Sequence, residues 1–308
     1  MKFIDMNGTK ASQLVFGCMR ISSCTVEELE VLVKTALDNN INFFDHADIY
    51  GGGKSEELFG EVLLKHPEYR QKMIIQSKCG IRKAEHSGYF DFSKEHIIHS
   101  VNESLRRLHT DYLDILILHR PDTLFDPAEV AEAFDILYNE KKVKYFGVSN
   151  MNSLQIELLQ KHTSHKLMFN QLQLSPVHSG MMTSGLFVNM KEDQAINRDD
   201  SILEYCRIND ITIQAWSIMQ ASWTEGTFLD HPDYPELNDC LALYANKYNV
   251  SKSAIVVAWI LTHPAQIQAI FGTTQANRII DMAAGAEITL SRPEWYHIYT
   301  SAIKSRLP

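Results

Sequence analysis

No stretch of this sequence stays apolar for the ~20 residues a membrane-spanning helix needs, so no span is expected. Basic residues are also scarce. There are 29 Lys and Arg against 38 Asp and Glu, a net charge of −9. Nucleic acids and anionic membrane surfaces are bound by clustered basic residues, so neither is an expected partner. The opening MKFIDMNGTKAS has Asp5 and Asn7 where a secretory signal needs an apolar core. The chain is therefore expected in the cytoplasm. Its five cysteines, Cys18, Cys24, Cys79, Cys206 and Cys240, are odd in number and none forms C-x-x-C. That pattern argues against a disulfide framework or a zinc ribbon and for isolated thiols. No repeat is visible at the level of residue identity. No Pro/Gly/Ser-rich stretch divides the chain, so residues 1–308 are expected to form a single domain.

What is present is an alternation of element types. Hydrophobic residues make up 45% and charged residues 22%, the balance of a folded globular protein. Short apolar runs read as buried parallel strands at 15–17, 43–45, 74–78, 113–119, 145–149, 169–172, 212–216 and 267–271. The stretches between them have helical periodicity. Residues 25–40 open with Thr25 and Glu28, a capping box, and then keep Leu29, Leu32, Val33 and Leu37 on one face. Helices are also expected at 93–109, 126–140, 153–160, 200–208, 237–248, 253–262, 274–284 and 291–305. Trp295 and Tyr296 of the last one are expected to pack on the barrel. Asn7-Gly8 between two short runs suggests an N-terminal β-hairpin. Eight βα units predict an α/β fold, a (β/α)8 TIM barrel. The rival, an open dinucleotide-binding sheet, would show G-x-G-x-x-G after its first strand. CMRISS stands there instead.

Active sites of such barrels lie at the C-terminal ends of the strands. Here those ends are polar: Asp45, Lys78, His119, Ser149-Asn150, Asn170-Gln171 and Trp216. Each has an ordinary reading when taken alone. Asp45 would cap a turn, Lys78 would reach out of the barrel end, His119 would be a loop residue and Tyr50 a packed aromatic. Buried polar groups cost free energy unless paired, and their recurrence at one edge favours a site. Two other readings compete. Gly53-Lys54-Ser55 looks like the end of a phosphate-binding loop, but the required glycine is replaced by Asp48. The three glycines 51–53 then read as a flexible turn before a helix that begins near Ser55. His46 and Asp48, with His119, would suit a metal, yet no clear further ligand completes the set, and no metal is expected.

The longer motifs carry a resemblance. FFDHADIYGGGKSEELFGEVL, SVNESLRRLHTDYLDILILHRPD, KKVKYFGVSN, NQLQLSP and IFGTTQANRI together resemble the aldo-keto reductase family, most closely its bacterial YdhF-type oxidoreductases. The resemblance covers nearly the whole chain. It implies an NADP(H)-dependent carbonyl reductase, with NAD(H) as the alternative cofactor. The family's catalytic tetrad falls on Asp45, Tyr50, Lys78 and His119. The expected roles are Tyr50 as general acid, Lys78 lowering its pKa, Asp45 holding Lys78, and His119 donating to the carbonyl oxygen.

The resemblance also implies a cofactor site. Ser149, Asn150 and Gln171 would hold the nicotinamide carboxamide, Trp216 would stack on the ring unless it is a core aromatic, and Ser217 would reach the pyrophosphate. Gly272, Thr273, Thr274 and Arg278 would take the adenosine end, where a helix N-terminus and an arginine suit a 2′-phosphate. Many relatives have a basic residue where Gln275 stands, which weakens that preference. Residues 217–237 are expected to cover the cofactor. Met19, Arg20, Tyr50 and Trp223 would line the substrate pocket. Met19 and Trp223 are equally readable as filler, and Arg20 as half of a structural ion pair. The partner is a small carbonyl compound and a monomer is expected. A cofactor-binding sensor with slow turnover is the alternative function.

Overall fold

The structure is a computed structural model that describes residues 1–83, 88–198, 200–222 and 224–304. Its strands are β1 (Phe3–Met6), β2 (Thr9–Ser12), β3 (Leu14–Gly17), β4 (Phe43–Asp45), β5 (Ile74–Cys79), β6 (Ile81–Lys83), β7 (Gly88–Phe90), β8 (Leu113–Leu118), β9 (Val143–Ser149), β10 (Leu167–Gln173), β11 (Thr212–Trp216), β12 (Gln220–Ser222), β13 (Gly226–Thr227) and β14 (Gln268–Phe271). Eight of them close into a parallel barrel in the order β3, β4, β5, β8, β9, β10, β11, β14. The helices are α1 (Val26–Asp38), α2 (Lys54–Lys65), α3 (Lys94–Leu108), α4 (Pro127–Asn139), α5 (Ser153–Gln160), α6 (Gly180–Leu186), α7 (Ile202–Ile208), α8 (Pro235–Tyr248), α9 (Lys252–Thr262), α10 (Ala276–Gly285) and α11 (Arg292–Ile303). None of the described helices is long and apolar enough to cross a membrane.

Local chemistry explains most of these boundaries. The Thr25 hydroxyl accepts from the Glu28 amide, and the Glu28 carboxylate accepts from the Thr25 amide, so α1 starts with two orphan donors satisfied. Ser93 and Asp126 cap α3 and α4 by accepting one amide each, from His96 and Ala128. Strands β3, β4, β5 and β8 are buried at every position, the polar residues of β4, β5 and β8 included.

Some boundaries differ from the sequence expectation. The helix expected at 274 begins at Ala276, because the Thr273 hydroxyl accepts the Gln275 amide and keeps that segment in a turn. The helix expected at 200 begins at Ile202, since Asp200 and Ser201 are both left-handed. His119 lies one residue beyond its strand. The hairpins β6–β7 and β12–β13 and the short helix α6 were not expected from the pattern.

Residue contacts gather into two compact units, one of Val15–Gln171 with Gly272–Ala276, the other of Met1–Leu14, Leu172–Phe271 and the chain from Asn277 onward. In the first, α2 and α3 pack so closely that a Cβ on Gly60 would lie 2.0 Å from the Arg107 carbonyl oxygen. In the second, Trp259 and Trp295 stack at 4.9 Å. Each indole N–H donates to the other residue's carbonyl, at 3.1 and 2.9 Å. The β1–β2 hairpin is tied in by Lys2, whose ammonium donates to the carbonyls of Leu261 and Ile288.

The approach at Gly60 makes a prediction. Gly60→Ala forces backbone apart and should cost about 1–3 kcal/mol of stability. Urea unfolding that matches wild type would show that α2 and α3 separate without penalty.

Candidate active site

Strand register assembles the centre of the first unit. Asp45, last in β4, lies beside Gln76 of β5. Lys78 is two residues beyond Gln76 and therefore points to the same face. Tyr50 arrives by a tight turn, in which its amide donates to Ala47. Gly51, Gly52 and Gly53 follow with φ of 60°, 68° and 97°. A Cβ on Gly51 would lie 2.6 Å from that of Ser22. The triple glycine thus re-aims the chain from Tyr50 into α2.

Asp45 and Lys78 are almost fully buried. The Lys78 ammonium donates to Asp45 Oδ2 at 2.8 Å, to the His46 carbonyl at 2.7 Å and to the Tyr50 hydroxyl oxygen at 3.0 Å. An ammonium has three protons, and all three are used. Gln76 and Gln171 add amide donors to Asp45 Oδ1, at 2.6 and 3.1 Å. Burial opposes the charge on Lys78, but Asp45 and Tyr50 outweigh it and hold its pKa above the usual value.

Lys78 favours the Tyr50 phenolate as expected, but the net pKa of Tyr50 is raised. Burial of the phenol is the main cause, and the Lys78 charge opposes it without prevailing. The ring of His119 meets that of Tyr50 edge-on, with centroids 6.0 Å apart. Burial first, then the charges of Lys78 and Arg120, push the His119 pKa well below its ordinary value. His119 is therefore a neutral imidazole, and its Nδ1 has no hydrogen-bond partner among the described residues.

Three cofactor candidates meet at the ends of β9 and β10. The Ser149 hydroxyl donates to the Gln171 carbonyl at 3.0 Å, and the Asn150 side-chain amide donates to the Ser149 hydroxyl at 2.7 Å. Asn150 itself is left-handed, with φ of 57°. Gly272 and Thr274 are exposed and Thr273 is buried, just ahead of α10. Trp216, Ser217 and Arg278 belong to the second unit. Trp216 ends β11 and is partly exposed, Ser217 donates to Gln220 at 2.6 Å, and Arg278 is exposed in the first turn of α10.

Of the substrate candidates, Met19 and Arg20 are exposed on a short 3-10 turn, Cys18–Ser23. Met19 is thus not buried filler. Trp223 lies outside the described residues. Among the described residues no three of His, Cys, Asp or Glu are grouped to hold a metal ion. His46 is instead packed edge-on against Phe59 at 4.5 Å, and burial lowers its pKa to about 3. Sequence reasoning overlooked Gln76 and Arg120. Gln76 had a signal, its period-2 spacing from Lys78.

A model of the aldo/keto reductase family matches residues 13–301. The chain belongs to that family. It is an oxidoreductase. Oxidoreductase YdhF of Escherichia coli is 34% identical over 312 residues, covering 99% of this chain and 98% of that protein. The uncharacterized oxidoreductase YcsN of Bacillus subtilis is 34% identical over 300 residues, 94% of each chain. An aldo/keto reductase from Klebsiella pneumoniae, solved with NADP and acetate, superposes with a TM-score of 0.74 at 21% identity, covering 94% of this chain and 91% of that one. It shares the barrel fold.

The lysine hub can be tested by stability. Lys78→Met leaves a buried carboxylate with amide donors only and should cost roughly 3–5 kcal/mol. Adding Asp45→Asn removes the stranded charge and should recover part of the loss. Equal instability of the single and double variants in urea would contradict this.

Proposed function

We propose that the enzyme reduces aldehyde or ketone carbonyls to alcohols, with Tyr50 as the proton donor and NADP(H) as cofactor. The observation that carries this reading is the direction of the Lys78–Tyr50 hydrogen bond. The phenolic oxygen accepts from Lys78, so the phenol's own proton is left to point elsewhere. A general acid must hold its proton before the reaction. The raised pKa of Tyr50 keeps it protonated across the neutral range.

A reduced nicotinamide, when bound, supplies the hydride. As charge develops on the carbonyl oxygen, Tyr50 gives up its proton. The phenolate left behind lies against the Lys78 ammonium at 3.0 Å, in a site that excludes most water, where such pairing is strong. Lys78 acts on the product of proton transfer more than on the resting phenol. Asp45, supported by Gln76 and Gln171, keeps Lys78 charged and in place. Neutral His119 has an N–H to donate to the carbonyl oxygen and orient it.

The donor set fits the cofactor. One hydroxyl and two side-chain amides, from Ser149, Asn150 and Gln171, match the donors and acceptors of a carboxamide. Trp216 supplies a flat ring for stacking and Ser217 a hydroxyl for the pyrophosphate. Gly272, Thr273, Thr274 and Arg278 surround the start of α10, and an exposed arginine there suits a 2′-phosphate. NADP in the Klebsiella relative agrees with this choice. Met19 and Arg20, exposed on their 3-10 turn, would meet the substrate.

The test is NADPH oxidation with a panel of aldehydes, diketones and quinones, run beside NADH. Tyr50→Phe should lose roughly 10²- to 10⁴-fold in turnover, the span of a general acid, while still quenching NADPH fluorescence. Equal rates in the two proteins would remove Tyr50 as the donor. Quenching without turnover in the wild type would instead mark a cofactor sensor.

A further inference from the structure

A polar cleft of about 290 Å3 is lined by Asp48, by five residues of α3 and by Arg82 of β6. Asp48 also belongs to the turn between Asp45 and Tyr50. Its amide donates to the Lys78 carbonyl at 3.0 Å. The turn is thus fastened to Lys78 by this backbone bond and by the ammonium's bonds to Asp45, His46 and Tyr50.

The carboxyl group of Asp48 is held under unusual conditions. Its Oδ1 is buried and has no hydrogen-bond partner among the described residues. Ser100 of α3 supplies a side-chain hydrogen bond. Glu56 of α2, fully buried, faces it with the same charge. The nearby cations are engaged elsewhere. Arg107 binds Glu56 at 2.8 Å and reaches Glu103 at 3.8 Å, and Arg82 binds Asp91 at 2.7 Å. His96 and His99 of α3 line the same cleft, and on the β5 side the buried Cys79 feels the Asp48 charge. Burial, then Glu56, raise the Asp48 pKa to about 7. Glu56 is itself linked to the hub, since it accepts from the hydroxyl of Ser77, the residue before Lys78, at 2.5 Å.

We propose that Asp48 is a positioning residue for the reduction: its carboxyl group anchors the Asp45–Tyr50 turn in this cleft and so sets where Tyr50 presents its hydroxyl. Ionisation places a second negative charge beside Glu56 in the same buried space. The carboxylate then turns toward water in the cleft, and the turn moves with it. Tyr50 is carried off the Lys78 ammonium. Tyr50, Lys78 and His119 do not titrate near neutrality in this way. Tyr50 and Lys78 are raised from values already near 10, while His119, like His46 beside it, is pushed far below neutral.

The inference rests on Tyr50 being the proton donor. The measurement is kcat/KM for NADPH-dependent reduction from about pH 5.5 to 9. Wild type, Asp48→Asn, Ser100→Ala and Tyr50→Phe are compared. Wild type should lose roughly fivefold or more on crossing pH 7, and Asp48→Asn should lack that fall. Ser100→Ala removes a hydroxyl that favours the carboxylate, so its fall should move to higher pH. Thermal unfolding gives a readout that does not involve turnover. The folded pKa of Asp48 lies above its unfolded value of 3.8, so its stabilising contribution is complete below that value and is lost as pH rises through 7. The advantage of Asp48→Asn in melting temperature should be absent at pH 4 and grow up to neutrality.

An alkaline fall that persists unchanged in Asp48→Asn and Ser100→Ala would overturn the proposal. If Asp48→Asn fails to fold, an unshifted Ser100→Ala profile overturns it alone. Full activity in Tyr50→Phe would instead defeat the reading of the donor. The two failures are therefore distinct.

Discussion

One buried ammonium group organises the site. Lys78 has three protons and three acceptors, and they come from a carboxylate, a backbone carbonyl and a phenol. Charge in a barrel interior is tolerated only with such complete pairing. The requirement fixes the end of β4, the path of the next five residues and the place of Tyr50. It also uses up the lysine. With all three protons engaged, the ammonium has no free donor.

Much of this was legible in the sequence because burial leaves a simple trace. An unbroken apolar run such as ILIL in β8 has one physical meaning, a strand covered on both faces. A charged residue at the end of such a run, as at Asp45 or Lys78, contradicts its surroundings unless a partner is near. The expected partnership of these two is present, and so are the capping box of α1 and the hairpin at Asn7-Gly8. The barrel follows from the count and order of the elements.

What escaped was set by contacts that leave no pattern. The third acceptor of Lys78 is the carbonyl of His46, and a backbone carbonyl has no letter in the sequence. The sign of the shift at Tyr50 depends on how two opposing effects balance. The sequence shows the lysine but not the depth of burial. The late start of α10 turns on one hydroxyl, that of Thr273. Asp48 was considered as a metal ligand beside His46, yet the buried imidazole faces Phe59 while the carboxyl group faces α3. Adjacent letters on a tight turn point to different neighbours.

The tie between Lys2 and Ile288 has a consequence for how the chain is made. The two residues are 286 positions apart. At about 5–20 residues per second, the ribosome needs roughly 14–57 s to cover that distance. The N-terminal hairpin therefore emerges early and waits for its acceptors. Trp259 is in the same position, since the indole that covers it belongs to α11. Residues from Val15 to Gln171, in contrast, hold most of the first unit in one continuous stretch. That stretch, with Asp45, Tyr50, Lys78 and His119, is complete while the second unit is still being translated. The unit that holds the Lys78 hub is thus largely translated before the unit that contains both chain ends is finished.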